Sequence, residues 1–244
     1  MASPLHQFEI TPIIPIEVAG TDLSFTNSAL FMIIASGLVA VFLIWSMRKS
    51  TLVPGRFQSM AELSYEMVAG MVRDNVGDEG RGYFPFVFTL FMFVLFGNLL
   101  GLIPGGFTFT SHIAVTFTMA AIIFLAVTVI GIYRHGFHFL RLFFPEGAPW
   151  WTAPILVPIE LVSYLSRPIS LSVRLFANMT VGHVLLKVIA GFVISLGSIF
   201  FLLGVFPLLA LVGITVLEFL VAAIQAYVFA ILTCIYLHDA IHLH

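Results

Sequence analysis

Ser166-Arg167-Pro168-Ile169-Ser170-Leu171-Ser172-Val173-Arg174-Leu175-Phe176-Ala177-Asn178-Met179 sets two arginines, Arg167 and Arg174, in one segment with no acid. Long apolar runs flank it on both sides. The Arg174 guanidinium stays protonated in any protein environment. At mid-depth in a bilayer such a charge costs at least about 2.5–3.5 kcal/mol. A chain that keeps it there is expected to use it.

The apolar flanks are the rule along the whole chain. Of 244 residues, 60% are hydrophobic and only 9% are charged. Mean hydropathy is +1.10. Soluble domains carry roughly 25% charged residues, so the expected class is an all-α integral membrane protein. The net charge of −2 comes without a basic stripe, which argues against a nucleic-acid partner. Cys234 is the single cysteine, so neither an internal disulfide nor a thiol metal site can form. The first 26 residues hold no Lys or Arg and lack the charge pattern of a signal or transit peptide.

A spanning helix needs about 20 apolar residues. Residues 28–47 supply the first span, behind an outer-facing amino-terminal tail at 1–27. No Asp, Glu, Lys or Arg occurs from Gly82 to Tyr133. Pro104-Gly105-Gly106 breaks that run, giving a two-span hairpin over 84–134. Residues 152–240 then read as a long, tilted, polar-lined helical hairpin, with a turn expected around Gly191–Ser198. Between the first two spans, Phe57, Met60, Met67 and Met71 recur at helical spacing, with Gln58, Glu62, Glu66 and Arg73 turned elsewhere. That predicts an amphipathic surface helix over 57–77. The expected architecture is therefore five spanning helices plus one surface helix.

Lys and Arg in short loops set orientation. Arg48, Lys49, Arg56, Arg73 and Arg81 follow the first span, and Arg134 and Arg141 follow the third. The tail, the 104–111 loop and the 188–200 segment have none. The amino terminus is thus expected outside and the carboxyl terminus in the cytoplasm. The halves share no internal repeat, which disfavours an inverted-repeat transporter.

The last two spans carry the unusual side chains. The fourth holds Glu160, Ser163, Arg167, Ser170, Arg174, Asn178 and His183; the fifth holds Glu218, Gln225, Tyr227 and Tyr236. Ionisable groups at such depth face a bundle interior or a water-filled cavity. Glu160, Arg167 and Arg174 share one helical face, but Glu160 and Arg174 are separated by about 21 Å of helix. They cannot form one compact site. In an antiparallel hairpin, facing residues have nearly constant number sums, which sets Arg174 against Gln225, Ser163 against Tyr236 and His183 against Glu218. Such pairs could simply be interhelical glue, worth about 0.6–2 kcal/mol each. Arg174 fits glue poorly, because no acid sits at its level. It looks arranged to meet a negative charge from another chain.

The run from Pro168 through Arg174 to Asn178-Met179, with Gly182-His183, resembles subunit a of F-type ATP synthases. Glu218, Gln225-Ala-Tyr-Val-Phe229 and Leu232-Thr-Cys-Ile-Tyr236-Leu237 extend the likeness, as does Gly97-Asn98-Leu-Leu-Gly-Leu-Ile-Pro104. It covers residues from about 84 to 240. The resemblance implies a membrane stator beside a rotating ring of c subunits. Protons reach a ring carboxylate by one half-channel and leave by another, and Arg174 prevents short-circuit between them. The outer half-channel maps onto Asn98, His112, Asn178, His183, Glu218 and Gln225. The inner one maps onto Glu160, Ser163, Ser170 and Tyr236. Implied partners are the c-subunit ring through the Arg174 face, b-type peripheral-stalk subunits, the remaining synthase subunits and the lipid bilayer. No cofactor or metal is implied, and no bond-making chemistry on this chain alone. The implied location is a bacterial inner membrane.

The chain departs from the family's common bacterial pattern. His183 stands where many relatives have an acid, and Glu218 where they have histidine. The exchange keeps one imidazole and one carboxylate. Gly101 and His112 each stand where many relatives have aspartate. Physically, a histidine titrates near neutral pH and passes protons either way, so His183 and Glu218 form a sensible relay. Glu160 is the only acid between Glu146 and Glu218 and suits the inner path.

Three other readings are open. A stand-alone proton or ion transporter or channel would need an acid for Arg174 within the chain. An intramembrane metalloenzyme could use His238 and His242, four apart beside Asp239 and His244, but the metalloprotease glutamate is missing, and this end reads instead as a solvated tail. A pure scaffold would leave Arg174 without a purpose. His135 and His138, beside Arg134 and Arg141, read as a solvated loop. Trp150 and Trp151 read as interface anchors. Pro158 and Pro168 read as kinks or helix starts.

Overall fold

In the computed structural model, residues 10–15, 17–18, 21–22, 24–48, 51, 53–103, 106–136, 150–199 and 201–242 are described. Pro104, Gly105, His138, Arg141 and His244 lie outside them. Six α-helices follow short strands. Helix α1 is Asn27–Met47, α2 Arg56–Val76, α3 Phe84–Gly101, α4 Ile113–His135, α5 Ala153–Ile199 and α6 Phe201–Ile241. All but α2 are apolar and long enough to cross a membrane. The chain is an all-α membrane protein with five spanning helices and one amphipathic helix, as expected.

The tail was expected only as a tail. It contains β1 (Pro12–Ile14) paired antiparallel with β4 (Phe25–Thr26), and β2 (Glu17–Val18) paired with β3 (Thr21–Asp22). The Thr26 side chain then caps α1 by accepting the Ala29 N–H at 3.4 Å, which satisfies one of the orphan donors of a helix start.

Helices α5 and α6 have 47 and 41 residues, hence lengths of about 70 and 60 Å at 1.5 Å per residue. A hydrocarbon core is about 30 Å thick, so helices this long must tilt or bend to stay within it. Pro158 and Pro168 lie inside α5 and Pro207 inside α6. They interrupt neither helix. The expected turn at Gly191–Ser198 is corrected: α5 continues helical to Ile199, and α6 begins at Phe201. The small residues of that segment are accommodated within the helix. Ser195 and Ser198 donate back to the Phe192 and Ser195 carbonyls at 3.4 and 2.8 Å. Gly197 faces Gly204 so closely that a Cβ on Gly204 would come within 2.9 Å of the Gly197 Cα.

The chain forms two compact units. The first comprises Met1–Leu52, Met92–His112 and Leu175–Tyr227. Phe31 packs on Phe107 and Phe42 on Phe96, with ring centroids 6.0 and 5.5 Å apart. The Phe109 ring lies over Gly97, where a Cβ would overlap its Cζ. The outward face of α1 presents Ile33, Val41, Ile44 and Trp45, as a lipid-facing helix should.

The second unit comprises Val53–Phe91, Ile113–Arg174 and Val228–His244. Ala61, Val68, Val72 and Val76 of α2 are buried, whereas Phe57, Met60, Leu63 and Met67 are exposed. Of the four apolar residues that define the sequence pattern, only Met71 points inward. The exposed apolar stripe suits a helix lying in the membrane interface. Tyr65 packs on Phe84 at 4.6 Å. On α4, Thr128 shares a 2.7 Å hydrogen bond with Tyr164 of α5, and Arg134 pairs with Glu79.

Candidate functional site: two polar clusters

All six residues expected on the outer path lie in the first unit. Glu218 and Gln225 are two turns apart on α6 and so share one face. Both are buried, at 8% and 2% exposure. Asn178 donates its side-chain amide to Gln225 Oε1 at 2.6 Å. His183, also buried, places Nδ1 3.9 Å from Glu218 Oε2. Asn98, fully buried on α3, donates to the Ala222 carbonyl at 3.3 Å, between Glu218 and Gln225 in sequence. Three helices therefore converge on one polar core.

That core is incompletely satisfied. Both Glu218 oxygens, Gln225 Nε2 and Asn98 Oδ1 are buried without a hydrogen bond among the described residues. Buried polar atoms are normally paired by protein or water, and intramembrane carboxylates mark proton pathways. Glu218 fits only because residue 182 is glycine; a Cβ there would overlap Glu218 Oε1. His112 lies at the edge of the unit, its ring stacked on Phe107 with centroids 5.1 Å apart. It sits just before α4, outside the spans, and burial lowers its pKa from the usual 6.5.

The inner residues all lie in the second unit but do not gather. Glu160, Ser163, Arg167, Ser170 and Arg174 recur every three or four residues along α5, forming one stripe. Glu160 is half-buried; Ser163, Ser170 and Arg174 are exposed. Arg174 joins no ion pair among the described residues. Tyr236 instead meets Arg167, whose guanidinium lies 5.2 Å from the Tyr236 ring centre and 5.4 Å from that of Tyr164. Arg167 Nη1 also donates to Asp239 Oδ2 at 2.8 Å.

Two residues escaped the sequence reading. Asp239 reads in sequence as part of a solvated tail, yet it pairs with Arg167. Its spacing of three from Tyr236 was the available signal, since both then face α5. Thr108, in the loop before α4, hydrogen-bonds His183 Nε2 at 2.6 Å, and nothing in local sequence marks it. The rings of His238 and His242 stack at 4.6 Å. Among the described residues, no three His, Cys, Asp or Glu side chains are grouped to hold a metal ion.

The family model described as ATP synthase A chain matches residues 29–238. The chain is 62% identical to ATP synthase subunit a of Paramagnetospirillum magneticum, with both chains covered completely. The same identity and coverage hold for ATP synthase subunit a of Rhodospirillum rubrum. The Rhizobium etli subunit is 55% identical, over 98% of this chain and 97% of its own. With five membrane spans and matches of this identity over nearly the full length, the chain belongs to the ATP synthase subunit a family.

Proposed function

We propose that this chain is the proton-conducting stator subunit of a rotary ATP synthase in a bacterial inner membrane. It works beside a ring of small subunits, each carrying a mid-membrane carboxylate. The observation that carries the reading is Arg174: permanently charged, exposed on an apolar helix and without an acid partner among the described residues. Such a charge is tolerable where a partner's carboxylate arrives. The remaining synthase subunits, including b-type stalk subunits, complete the assembly.

The mechanism follows from side-chain chemistry. A proton from outside is accepted at His183 and passed to Glu218, with Asn98, Asn178 and Gln225 ordering the water between them. From there it neutralises a ring carboxylate, which can then move through lipid at much lower cost. On the other side, the carboxylate meets the inner path of Glu160, Ser163, Ser170 and Tyr236 and releases its proton. Arg174 favours the ionised carboxylate as it passes and repels a hydronium ion taking a direct route. Each proton contributes about 2.3 kcal/mol per 100 mV of membrane potential, plus the pH difference.

The test is Arg174→Ala in the reconstituted synthase. ATP-driven proton pumping is expected to vanish while the complex assembles; full coupled pumping overturns the reading. The amino terminus is placed outside and the carboxyl terminus in the cytoplasm. Membrane-impermeant thiol labelling of single cysteines at Thr11 and His242 checks that. Cys234 is buried and is replaced by serine for the experiment.

A further inference from the structure

Thr108 lies outside every set that sequence spacing selects, yet it holds the central histidine of the outer cluster. It is 3% exposed, and its hydroxyl is 2.6 Å from His183 Nε2. The loop that carries it is fixed from several directions. The Ser111 hydroxyl donates to the Thr108 carbonyl at 2.6 Å. The Thr180 hydroxyl of α5 donates to the Ser111 carbonyl at 3.3 Å. Gly101, at the end of α3, leaves room for Thr108: a Cβ at residue 101 would come within 2.5 Å of Thr108 Oγ1.

A hydroxyl can donate or accept. Facing a bare Nε2, Thr108 donates; facing Nε2–H, it accepts. The contact therefore survives a change in imidazole protonation or tautomer. The opposite ring nitrogen, Nδ1, is the one turned toward Glu218. A ring anchored at Nε2 cannot swing freely, so the Thr108 contact sets the direction of Nδ1. The charged groups around the ring are Glu218 from α6 and Lys187, one turn along α5. The loop contributes the neutral hydroxyl of Thr108.

We propose that Thr108 is the positioning residue of the outer relay, holding His183 at Nε2 so that Nδ1 addresses Glu218 in both protonation states. The proposal rests on the proton-path reading above, and its test keeps the two apart. Passive proton conduction is measured against pH in reconstituted membrane sectors, with the whole synthase complex assembled first and its catalytic head then stripped.

Thr108→Val keeps the shape but removes the hydroxyl. It is expected to slow conduction about tenfold, the factor corresponding to one hydrogen bond, and to displace the pH profile. Thr108→Ser is expected to recover most of the rate and the original profile. Thr108→Val with wild-type rate and profile, while Glu218→Gln is blocked, overturns the role of Thr108 and leaves the proton path standing. Wild-type conduction by Glu218→Gln overturns the path itself. Should Thr108→Val not assemble, Thr108→Cys, a weak donor of similar size, serves instead: conduction slowed with a displaced profile supports the proposal, and wild-type behaviour overturns it.

Discussion

His183 Nδ1 and Glu218 Oε2 stand 3.9 Å apart, and both side chains are buried. That separation is too long for a hydrogen bond and short enough for one water or a small side-chain shift to bridge. A proton can pass between the two groups once such a bridge forms. Glu218→Gln removes the acceptor and is expected to lower passive proton conduction by at least about 100-fold, within the usual range for a positioned acid or base. If the pair works as one imidazole and one carboxylate, their order is secondary. The double variant His183→Glu with Glu218→His should then conduct measurably better than Glu218→His alone. Proton flux in vesicles stripped of the catalytic head checks both, and a double variant as slow as the single one argues against an exchangeable pair.

Gly182 gives that carboxylate its place. A Cβ there would overlap Glu218 Oε1, and a methyl group on α5 leaves the carboxylate no choice but to move. Gly182→Ala also raises intrinsic helix propensity by about 1 kcal/mol, so assembly should persist. Conduction is expected to fall about tenfold or more while the amount of assembled complex stays at the wild-type level. Normal flux in that variant would mean that the present Glu218 position is not the working one.

Much of this was legible in sequence, for a physical reason. Lipid requires uninterrupted helices, so apolar length alone pointed to five spanning helices, and helical spacing pointed to the amphipathic helix α2. Hairpin register was legible in part. It correctly set His183 against Glu218, but it set Gln225 against Arg174, whereas Gln225 accepts from Asn178, one turn further along α5. A constant-sum rule treats helices as straight and parallel, and tolerates an error of one turn. The end of α5 was misread because Gly and Ser signal turns in water, while in lipid they serve close helix approach and back-bonding. Thr108 was illegible because a loop has no period: its contact with His183, 75 residues away, is made by tertiary packing alone.

His112 makes a pH-dependent prediction outside the spans. Burial lowers its pKa below the usual 6.5, so the folded loop favours the neutral imidazole stacked on Phe107. Above about pH 6.5 the ring is neutral whether the loop is closed or open, and closure is fully retained. As pH falls through the lowered value, the open loop binds the proton more readily and closure weakens. Protection factors at Thr110, Ser111 and His112, which take out the intrinsic slowing of amide exchange with falling pH, should therefore drop below about pH 6.5, and His112→Phe should remove that dependence.

The Arg167–Asp239 pair joins α5 to α6 in the second unit, with the two side chains 26% and 31% exposed. Pairs open to solvent contribute about 0–1 kcal/mol, and breaking a fully buried one costs about 3–5. This pair lies between, and two tyrosine rings flank the guanidinium. Asp239→Ala is expected to cost about 1–2 kcal/mol, seen as earlier thermal release of the subunit from the complex. The exchanged variant Arg167→Asp with Asp239→Arg should recover part of that loss. Because Arg167 also stacks on Tyr236, Arg167→Ala should cost more than Asp239→Ala. Equal losses would leave the cation–aromatic contacts without energetic weight.

Asn178 and Gln225 test how much a single intramembrane hydrogen bond matters. Their bond is 2.6 Å long, while Gln225 Nε2 is buried with no hydrogen bond among the described residues. Asn178→Leu would remove the partner that Gln225 Oε1 has among the described residues and leave a buried amide unsatisfied there, a loss of about 1–3 kcal/mol. Adding Gln225→Leu removes that amide as well, and replacing both partners by apolar groups is often nearly neutral. The double variant should therefore unfold later than Asn178→Leu in mixed-micelle denaturation. Intramembrane pairs measured by such cycles average about 0.6 kcal/mol, so the coupling should be small but positive. Proton conduction should move the other way. The double variant places two leucines where the proposed water path needs amides, and it should conduct more slowly than either single variant despite its better packing. Stability and conduction falling together would instead make this pair interhelical glue, with no part in the proton path.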